Sequence, residues 1–461
     1  MKTTKSICFL MYSVVLLVLR VDLLSAQAAG PVIGSRSVVP LRNQVLLMEK
    51  WWRWKLANIL PLVMREQKVD LWIIRDNEAD LYYNNQGPVY VSLLRADHQG
   101  MTYPSNYAPS GSQRLPKFLM FHDTGGEIAY SEPESYAHIR NRVSALRPAR
   151  IAVAGYNNAE MLRAIGTEFA SRTVDSWTLG VRWLETVGAE RIGVYREVQR
   201  VANEIIAEAF SNKAVVPEVT TTEDLNWWVL HRYQELGIDM ENYPTITVQR
   251  SDENLAKTED VGRCFKNGRS HNGRNVVIRR GDVISCDTDL YMFGLITDSH
   301  QHAYVLKSGE ADVPEPLKEA LLKVNRMQDL FRKEFVVGRT GKEIMEAARK
   351  IKWPDGILHS ELAFHPPPMY IWRFWSGGYM FDRKSYVAGM TSGPGYYPTS
   401  IVSNEHALHL NTLYAFEPHT RVAVPGWKYG VELGIGQIVI FGEEGLNYLA
   451  RSQESQWHVI R

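Results

Sequence analysis

The first half of the chain mixes hydrophobic patterns of two periods. Residues 51–67 carry apolar side chains at helical spacing, and residues 69–74 form a short apolar run typical of a strand. Two more apolar runs, at residues 115–122 and 151–154, also predict strands. We therefore expect a self-contained α/β domain, and its polar residues form no cluster to which chemistry can be assigned.

The second half opens with a long amphipathic helix over residues 190–212, where apolar residues recur at steps of three to five. Residues 220–223 form a capping box that predicts a second helix ending at Gly237, and a third helix is predicted over residues 315–335. The strands predicted between and after these helices are residues 245–249, 282–290, 295–306, 412–419 and 437–441. Helices that alternate with antiparallel hairpins predict an α+β domain.

Composition narrows the possible functions. The 461 residues are 45% hydrophobic and 22% charged, which is typical of globular proteins with sizeable cores. Lys and Arg number 52 and Asp and Glu 51, so the net charge of +1 provides no field that attracts nucleic acid or an anionic membrane. Peptide or small-molecule chemistry is the expectation that remains.

The N-terminus has the pattern of an export signal. Lys2 and Lys5 precede an apolar run at residues 7–19, and small residues follow at 25–29. This pattern predicts a signal peptide over residues 1–28 and an exported protein, either periplasmic or secreted. An uncleaved anchor is the alternative, but the run is shorter than the roughly 20 residues that span a bilayer, and no later segment is apolar for long enough.

The segment 285–298 carries the strongest chemical signal. Asp287 and Asp298 are eleven positions apart, an odd spacing that places them on opposite faces of one continuous strand. If the chain reverses at Met292 and Phe293, the two aspartates lie directly across from each other, with Cβ atoms about 5 Å apart. Two carboxylates on one face repel each other unless a proton or a cation lies between them.

A metal site is one solution to this repulsion, because two ions about 3.5–4 Å apart can share such carboxylates and hold a nucleophilic water. Alternation also places Asp289, His300 and His302 on the same face, where they are within reach as further ligands. Solvated acids at a hairpin tip and hydrogen-bonded sheet histidines are the simpler alternatives.

Four motifs follow one another along the second half: the run 281–287, the eleven-residue gap to Asp298, the segment Phe416-Glu417-Pro418 and the closing run 443–449. In this order and spacing the chain resembles the pita-bread metallopeptidases, the family of aminopeptidase P, prolidase and the metal-free creatinase. The resemblance implies an α+β pita-bread catalytic domain over residues 184–461, preceded by a smaller creatinase-like α/β domain over residues 29–183. It also implies a homodimer.

The resemblance further implies five metal ligands, namely two aspartates, one histidine and two glutamates. Together these hold two divalent ions, Mn²⁺ or Zn²⁺. Asp287 and Asp298 match the aspartates, and Glu417 matches the first glutamate with its proline in place. Three of the five implied ligands are therefore kept.

The other two ligand positions depart from the family pattern. An ungapped match places Ser360 at the metal-binding histidine and leaves His359 one residue early, a step that turns a side chain to the other face of a strand unless a bulge restores it. The last glutamate is replaced by Gly436 or Gln437, and a neutral Gln437 oxygen in place of a carboxylate weakens at least one metal. The second ion is therefore in question.

A second family histidine, which assists catalysis, falls near Pro367, two residues after His365. Between His365 and Glu417 the chain carries an aromatic stretch at residues 370–381. This stretch predicts either an apolar wall for a substrate or a surface loop packed on its own aromatic side chains.

The activity that the resemblance implies is metal-dependent hydrolysis of an amide bond in a short peptide, as in an Xaa-Pro aminopeptidase or dipeptidase. His359 or His365 would then bind metal or steady the tetrahedral intermediate. One alternative is a catalytically silent relative that acts as a binding protein or partner subunit, which the two departing ligands favour. Another is metal-free C–N hydrolysis of a small amidine, as in creatinase, which three uncompensated acids disfavour.

Overall fold

The computed structural model describes residues 39, 41–75, 118–153, 159–176, 179, 182–183, 186–240, 243–259, 261–293, 295–365 and 407–461. The predicted signal peptide and the aromatic stretch 370–381 lie outside these residues. The boundary expected at residue 183 and the expected homodimer stay predictions.

Helices occur throughout the described part of the chain. In chain order they are α1 (Leu41–Asn58), α2 (Leu60–Glu66), α3 (Tyr136–Leu146), α4 (Ala159–Ile165), α5 (Thr167–Ala170), α6 (Ala189–Ala209), α7 (Thr222–Leu236), α8 (Asp252–Ala256), α9 (Val261–Cys264), α10 (Glu315–Arg332) and α11 (Gly341–Ala348). In this part of the chain, none of them is long and apolar enough to cross a membrane.

In the described part of the chain, most strands lie in the second half. The first five are β1 (Leu71–Arg75), β2 (Phe118–Asp123), β3 (Ile128–Ser131), β4 (Ile151–Val153) and β5 (Thr173–Asp175). The next eight are β6 (Asp239–Met240), β7 (Thr245–Gln249), β8 (Phe265–Lys266), β9 (Arg269–Ser270), β10 (Val283–Thr288), β11 (Leu290–Met292), β12 (Leu295–Ile296) and β13 (Ser299–Val305). The last are β14 (Ile357–Glu361), β15 (Phe364–His365), β16 (Thr412–Phe416), β17 (His419–Val424), β18 (Trp427–Gly434), β19 (Gln437–Gly442), β20 (Gly445–Tyr448) and β21 (His458–Ile460).

The first five strands form a mixed sheet in the order β3-β2-β1-β4-β5. β1 lies at its centre, antiparallel to β2 and parallel to β4. A strand that is covered on both faces has a nearly continuous apolar sequence, as β1 does. Ile139 and Val143 of α3 pack with Met161 and Ile165 of α4 against this sheet and form its core.

The remaining strands form antiparallel sheets with one parallel edge. The largest has the order β21-β13-β10-β7-β9-β8, in which β21 runs parallel to β13. The other two sheets that bear on the site have the orders β14-β17-β18 and β15-β16-β19-β20. Helix α10 buries Leu317, Leu321 and Val324 against Val283 and Leu433, so one hydrophobic core joins the β10 and β18 sheets.

The α+β prediction is confirmed, and its departures are local. α6, α7 and α10 confirm the three predicted helices, and β7 coincides with the predicted strand. The single strand predicted over residues 295–306 is instead two strands, β12 and β13, because the chain leaves the ladder at Thr297 and Asp298. Helix α7 ends as expected at Gly237, whose φ of 66° is left-handed.

The capping box of α7 lies one residue later than the sequence predicts. Thr221 is the N-cap, and its Oγ1 accepts the N–H of Asp224 at 3.1 Å, while Asp224 Oδ2 accepts the N–H of Thr221 at 2.9 Å. These bonds satisfy two of the helix's orphan donors and lower the pKa of Asp224, chiefly through the Thr221 backbone.

Thr221→Ala is therefore expected to lower the free energy of unfolding by about 1 kcal/mol, because the cap loses its acceptor oxygen. Thr221→Ser keeps that oxygen and is expected to stay close to the wild type. Denaturant unfolding of the three proteins measures the difference, and equal losses in both variants would show that the threonine methyl group, and not the cap, is what matters.

Candidate metal centre

The acidic segment forms the predicted hairpin with a different register. β10 and β13 pair so that Asp287 lies opposite His300, and β11 and β12 pair so that Met292 lies opposite Leu295. The expected partner of Asp287 is therefore wrong by two positions. The reversal is centred one residue later than expected, beyond Phe293, whose φ of 57° is left-handed. Moving a turn by one residue moves every cross-strand partner by two.

Three carboxylates surround the imidazole of His300. Its Nε2 lies 2.8 Å from Asp287 Oδ1, 3.2 Å from Asp298 Oδ1 and 3.7 Å from Glu417 Oε2. The side chains of Asp298 and Glu417 are only 8% and 16% exposed, whereas that of Asp287 is 45% exposed. The structure thus brings together the three carboxylates named from the sequence, and the cluster opens toward solvent at Asp287.

Glu417 is positioned by its backbone. It lies between β16 and β17, and its N–H donates to the Ala363 carbonyl at 2.9 Å, while the Ala363 N–H donates to the Glu417 carbonyl at 3.3 Å. This pair of bonds continues the contact between β15 and β16, in which Phe364 lies opposite Phe416. The following Pro418 has no N–H to add to a ladder, so the strand pairing changes at this point.

His300 is held against a glycine. Its backbone N–H donates to the Gly436 carbonyl at 3.0 Å, and a Cβ at position 436 would lie 2.9 Å from the Cγ of the imidazole. Burial acts to lower the pKa of His300, but the carboxylates of Asp287 and Asp298 outweigh it and raise this pKa well above 6.5. In the absence of another cation, the protonated ring offsets part of the negative charge of the cluster.

His419 borders the cluster at the start of β17. Its ring meets that of His300 edge to face, with centroids 5.6 Å apart. It lies directly across from Gly434, and a Cβ there would come within 2.5 Å of the ring. Burial, and then the positive charge of His300, lower the pKa of His419, so the ring is neutral at pH 7.

The donor geometry suits a divalent cation. The ligand atoms of Asp287, Asp298 and His300 lie within 4.8 Å of one another, and so do those of His300, Glu417 and His419. Neighbouring ligands of an ion with bonds of about 2.1 Å lie roughly 3 Å apart in octahedral geometry. The separations of 2.8 and 3.2 Å at His300 Nε2 are close to this value. Carboxylate and imidazole donors together suit Zn²⁺ or Mn²⁺.

The other polar residues of the hairpin do not join these groups. His302 is buried, its Nε2 accepts the Gly434 N–H at 3.0 Å, and burial lowers its pKa to about 3. It is therefore the hydrogen-bonded sheet histidine that was one of the alternatives. Asp289 is also buried but belongs to neither group of ligand atoms among the described residues.

His359 lies on β14, where a register shift separates it from Ile357. Its Nε2 is 3.5 Å from Glu361 Oε2, its ring meets Trp353 edge to face, and its side chain is 45% exposed. Within the described residues it belongs to neither group of possible metal ligands. Ser360 points to the other face of the strand, where its Oγ lies 2.8 Å from Thr420 Oγ1.

Gln437 is fully buried at the start of β19, and its Oε1 accepts the Ser452 N–H at 3.0 Å. That bond engages the oxygen that was expected to bind metal. His365 lies on β15 opposite Ala415, and its catalytic role stays a prediction. The roles predicted for His359 and Gln437 also stay predictions.

His419 was not predicted from the sequence as a site residue, and His300 was predicted only as a residue within reach of the carboxylates. A signal for His300 was present, because strand alternation places it on the face of Asp287. His419 follows Glu417 by two positions, which is the strand period, so the same alternation would have marked it. Glu361 was also not predicted from the sequence. Strand pairing places it directly opposite His419 across β14 and β17.

The fold and this cluster of carboxylates and histidines define a protein of the pita-bread class. The model of metallopeptidase family M24 matches residues 193–439, which is more than half of the chain. The chain belongs to this family. The family match confirms the resemblance drawn from the four motifs, and a member of this family is expected to depend on divalent metal.

Several solved structures are similar to the chain. A dipeptidase from Pyrococcus horikoshii has 15% identity and a TM-score of 0.47, with 87% of this chain and 98% of the dipeptidase covered. An X-Pro aminopeptidase from Thermotoga maritima has 14% identity and a TM-score of 0.48, with coverages of 86% and 99%. An Xaa-Pro dipeptidase from Bacillus anthracis has 12% identity and a TM-score of 0.43, with coverages of 90% and 99%. No curated protein matches the chain by sequence.

Proposed function

We propose that this protein is a metal-dependent hydrolase that cleaves an amide bond in a short peptide, of the Xaa-Pro aminopeptidase or dipeptidase type. The observation that carries the proposal is the convergence of Asp287, Asp298 and Glu417 within 2.8–3.7 Å of one imidazole nitrogen. Membership of the M24 family supports peptide hydrolysis as the reaction class. The preference for proline rests on family resemblance.

The three carboxylates of the cluster differ in how far their side chains are exposed to solvent. Asp298 and Glu417 are largely shielded from water, so their charges favour a bound cation strongly. Asp287 is about half exposed and forms the side from which a peptide and water can approach. When bound, a divalent ion in such a donor set supplies a Lewis acid that polarises a carbonyl and activates water.

Glu361 is a candidate for proton transfer at the edge of the site. It lies directly opposite His419, and its side chain is 25% exposed. Residues paired across antiparallel strands point to the same face, so its carboxylate lies on the side of the sheet that carries His419. A carboxylate there can accept a proton from attacking water and return it to the leaving amine.

A second candidate function has one observation in its favour. Protonated His300 places a positive charge among the three carboxylates, and this charge offsets the repulsion that otherwise requires a metal. A metal-free hydrolase or a catalytically silent binding protein could keep the cluster in this form. The requirement for metal separates the metal-free hydrolase from the metallopeptidase, and hydrolysis itself separates both enzymes from the silent relative.

The test is an assay of the purified mature chain on Xaa-Pro dipeptides and on longer peptides with proline in the second position. We expect hydrolysis that falls to background after chelation and returns when Mn²⁺ or Zn²⁺ is added. The same peptides with alanine in place of proline serve as the control for specificity. Hydrolysis that survives complete chelation would favour the metal-free reaction, and no hydrolysis in the metal-loaded protein would favour the silent relative.

A further inference from the structure

Two glycines stand under the two histidine rings of the cluster. The ring of His300 covers Gly436, one of the two positions at which the family's last glutamate is expected, and the ring of His419 covers Gly434. A Cβ at either glycine would lie within 3.0 Å of the ring above it. The space that a side chain at position 436 needs is therefore filled by the imidazole of His300.

We propose that His300 and His419 are metal ligands in place of the family's glutamate and histidine, and that the rearranged site holds one ion per chain instead of two. This inference rests on the metal dependence in the proposed function, but it concerns binding and not hydrolysis. The donors are then three carboxylates, Asp287, Asp298 and Glu417, and two imidazoles.

The position of the His300 ring limits the number of ions. Its Nε2 is 2.8, 3.2 and 3.7 Å from oxygens of the three carboxylates, so the ring fills part of the space between them. A metal bound to this nitrogen lies about 2 Å away from it, so the ion that His300 shares with the carboxylates lies to the side of the ring. The carboxylates are thus left with room for one ion beside the ring.

The number of carboxylates points the same way. The family's implied ligand set of two aspartates and two glutamates provides four, whereas neither Gly436 nor Gln437 has a carboxylate and three remain. Losing one negative ligand weakens the binding of a second ion.

The two residues that would otherwise complete the family's set are engaged elsewhere. Gln437 Oε1 already accepts the Ser452 N–H, and the His359 imidazole lies beside Glu361 and Trp353. Among the described residues His359 belongs to neither group of ligand atoms, whereas His300 belongs to both.

The first test counts ions and ligands without any peptide. Elemental analysis and calorimetric titration with Mn²⁺ and Zn²⁺ are expected to give one ion per chain in the wild type. His300→Ala and His419→Ala are each expected to weaken binding by at least about 10-fold. His359→Ala and the exposed control His271→Ala are expected to leave binding unchanged. Two ions per chain in the wild type, or a loss confined to His359→Ala, would overturn the inference.

Spectroscopy keeps the test decisive if a variant folds poorly. The wild type loaded with one equivalent of Cu²⁺ is expected to show an electron paramagnetic resonance spectrum split by two imidazole nitrogens. His419→Ala is expected to retain the splitting of one nitrogen. A wild-type spectrum with oxygen ligands alone would contradict the assignment. Because no peptide is present, failure of the ligand assignment is distinguishable from failure of the proposed hydrolysis.

A rebuilding experiment tests whether the His300 ring takes the place of a second ion. His300→Ala combined with Gly436→Glu removes the ring and restores a carboxylate, and two ions per chain are expected. Gly436→Glu alone is the matched control, and it is expected to gain no second ion because its Cβ would lie 2.9 Å from the ring. A folded double variant that still binds a single ion would show that the ring does not exclude the second one.

Discussion

Asp298→Asn is expected to lower the affinity for divalent metal by at least about 100-fold, because losing a direct ligand costs more than losing the outer hydrogen bonds, worth about 10–100-fold, that orient one. Asp298 is 8% exposed, and its Oδ1 lies 3.2 Å from His300 Nε2, so its charge acts in a poorly screened site. Saturating metal at 100 times its dissociation constant stabilises a protein by about 2.7 kcal/mol. Thermal unfolding with and without Mn²⁺ should show that gain in the wild type and not in the variant.

The matched control is Asp289→Asn. Asp289 is buried in the same hairpin but belongs to neither group of ligand atoms in the described part of the chain. The control is therefore expected to keep the metal-dependent gain. In the metal-free state Asp298→Asn should unfold no earlier than the wild type, because it removes one of three repelling carboxylates. A variant that keeps the full gain from metal would remove Asp298 from the ligand set.

The error in the hairpin register shows what the alternation of apolar and polar residues can define. It defines the face of each side chain but not its partner on the next strand. Alternation fixes the face to which each side chain points, and a shift of two positions leaves every side chain on its face. The apolar and polar positions of β10 and β13 are therefore compatible with Asp287 opposite residue 298 or opposite His300. The turn decides between them, and the left-handed conformation of Phe293, a bulky residue, is not what its sequence suggests.

The helices were predictable because their signals are local. The boundary of α7 follows from Thr221, Asp224 and Gly237, all within one stretch of chain. The capping box was placed one residue early because Thr220 to Glu223 fits the Ser/Thr-x-x-Glu rule, whereas the observed box has an aspartate, Asp224, at its fourth position. Only the hydrogen bonds distinguish the two.

The carboxylates of the site were predictable, and His300 was predictable as a residue within reach of them, but the packing of the two histidine rings was not. Asp287, Asp298 and Glu417 could be named because they lie in motifs of fixed spacing. The fit of His300 over Gly436 joins residues more than a hundred positions apart, and no local pattern encodes it. The absence of the family's last glutamate therefore looked, in the sequence, like the loss of a metal ligand. The structure shows the imidazole of His300 in the space above Gly436.

Arg250→Ala is expected to lower the free energy of unfolding by about 3–5 kcal/mol, because it leaves a buried carboxylate without its counter-ion. Arg250 Nε lies 3.3 Å from Asp282, at the start of the strand that carries Asp287, and both side chains are almost fully buried. Arg250 also donates to the Val277 carbonyl and to Thr258 Oγ1, at 2.6 and 2.8 Å. Denaturant unfolding at pH 8 measures the loss.

The dependence of this loss on pH identifies its cause. Burial raises the pKa of Asp282 to about 6, although Arg250 and the Arg279 N–H act to lower it. A carboxyl group whose folded pKa lies above its unfolded value contributes stability that is present below about pH 4 and is lost as the pH rises through 6. Without Arg250 the folded pKa rises further, so the loss in Arg250→Ala should be smaller at pH 5 than at pH 8. Adding Asp282→Asn removes the titrating group and should restore part of the stability at pH 8 while abolishing this difference, whereas a loss independent of pH would mean that lost packing, and not the buried charge, destabilises the variant.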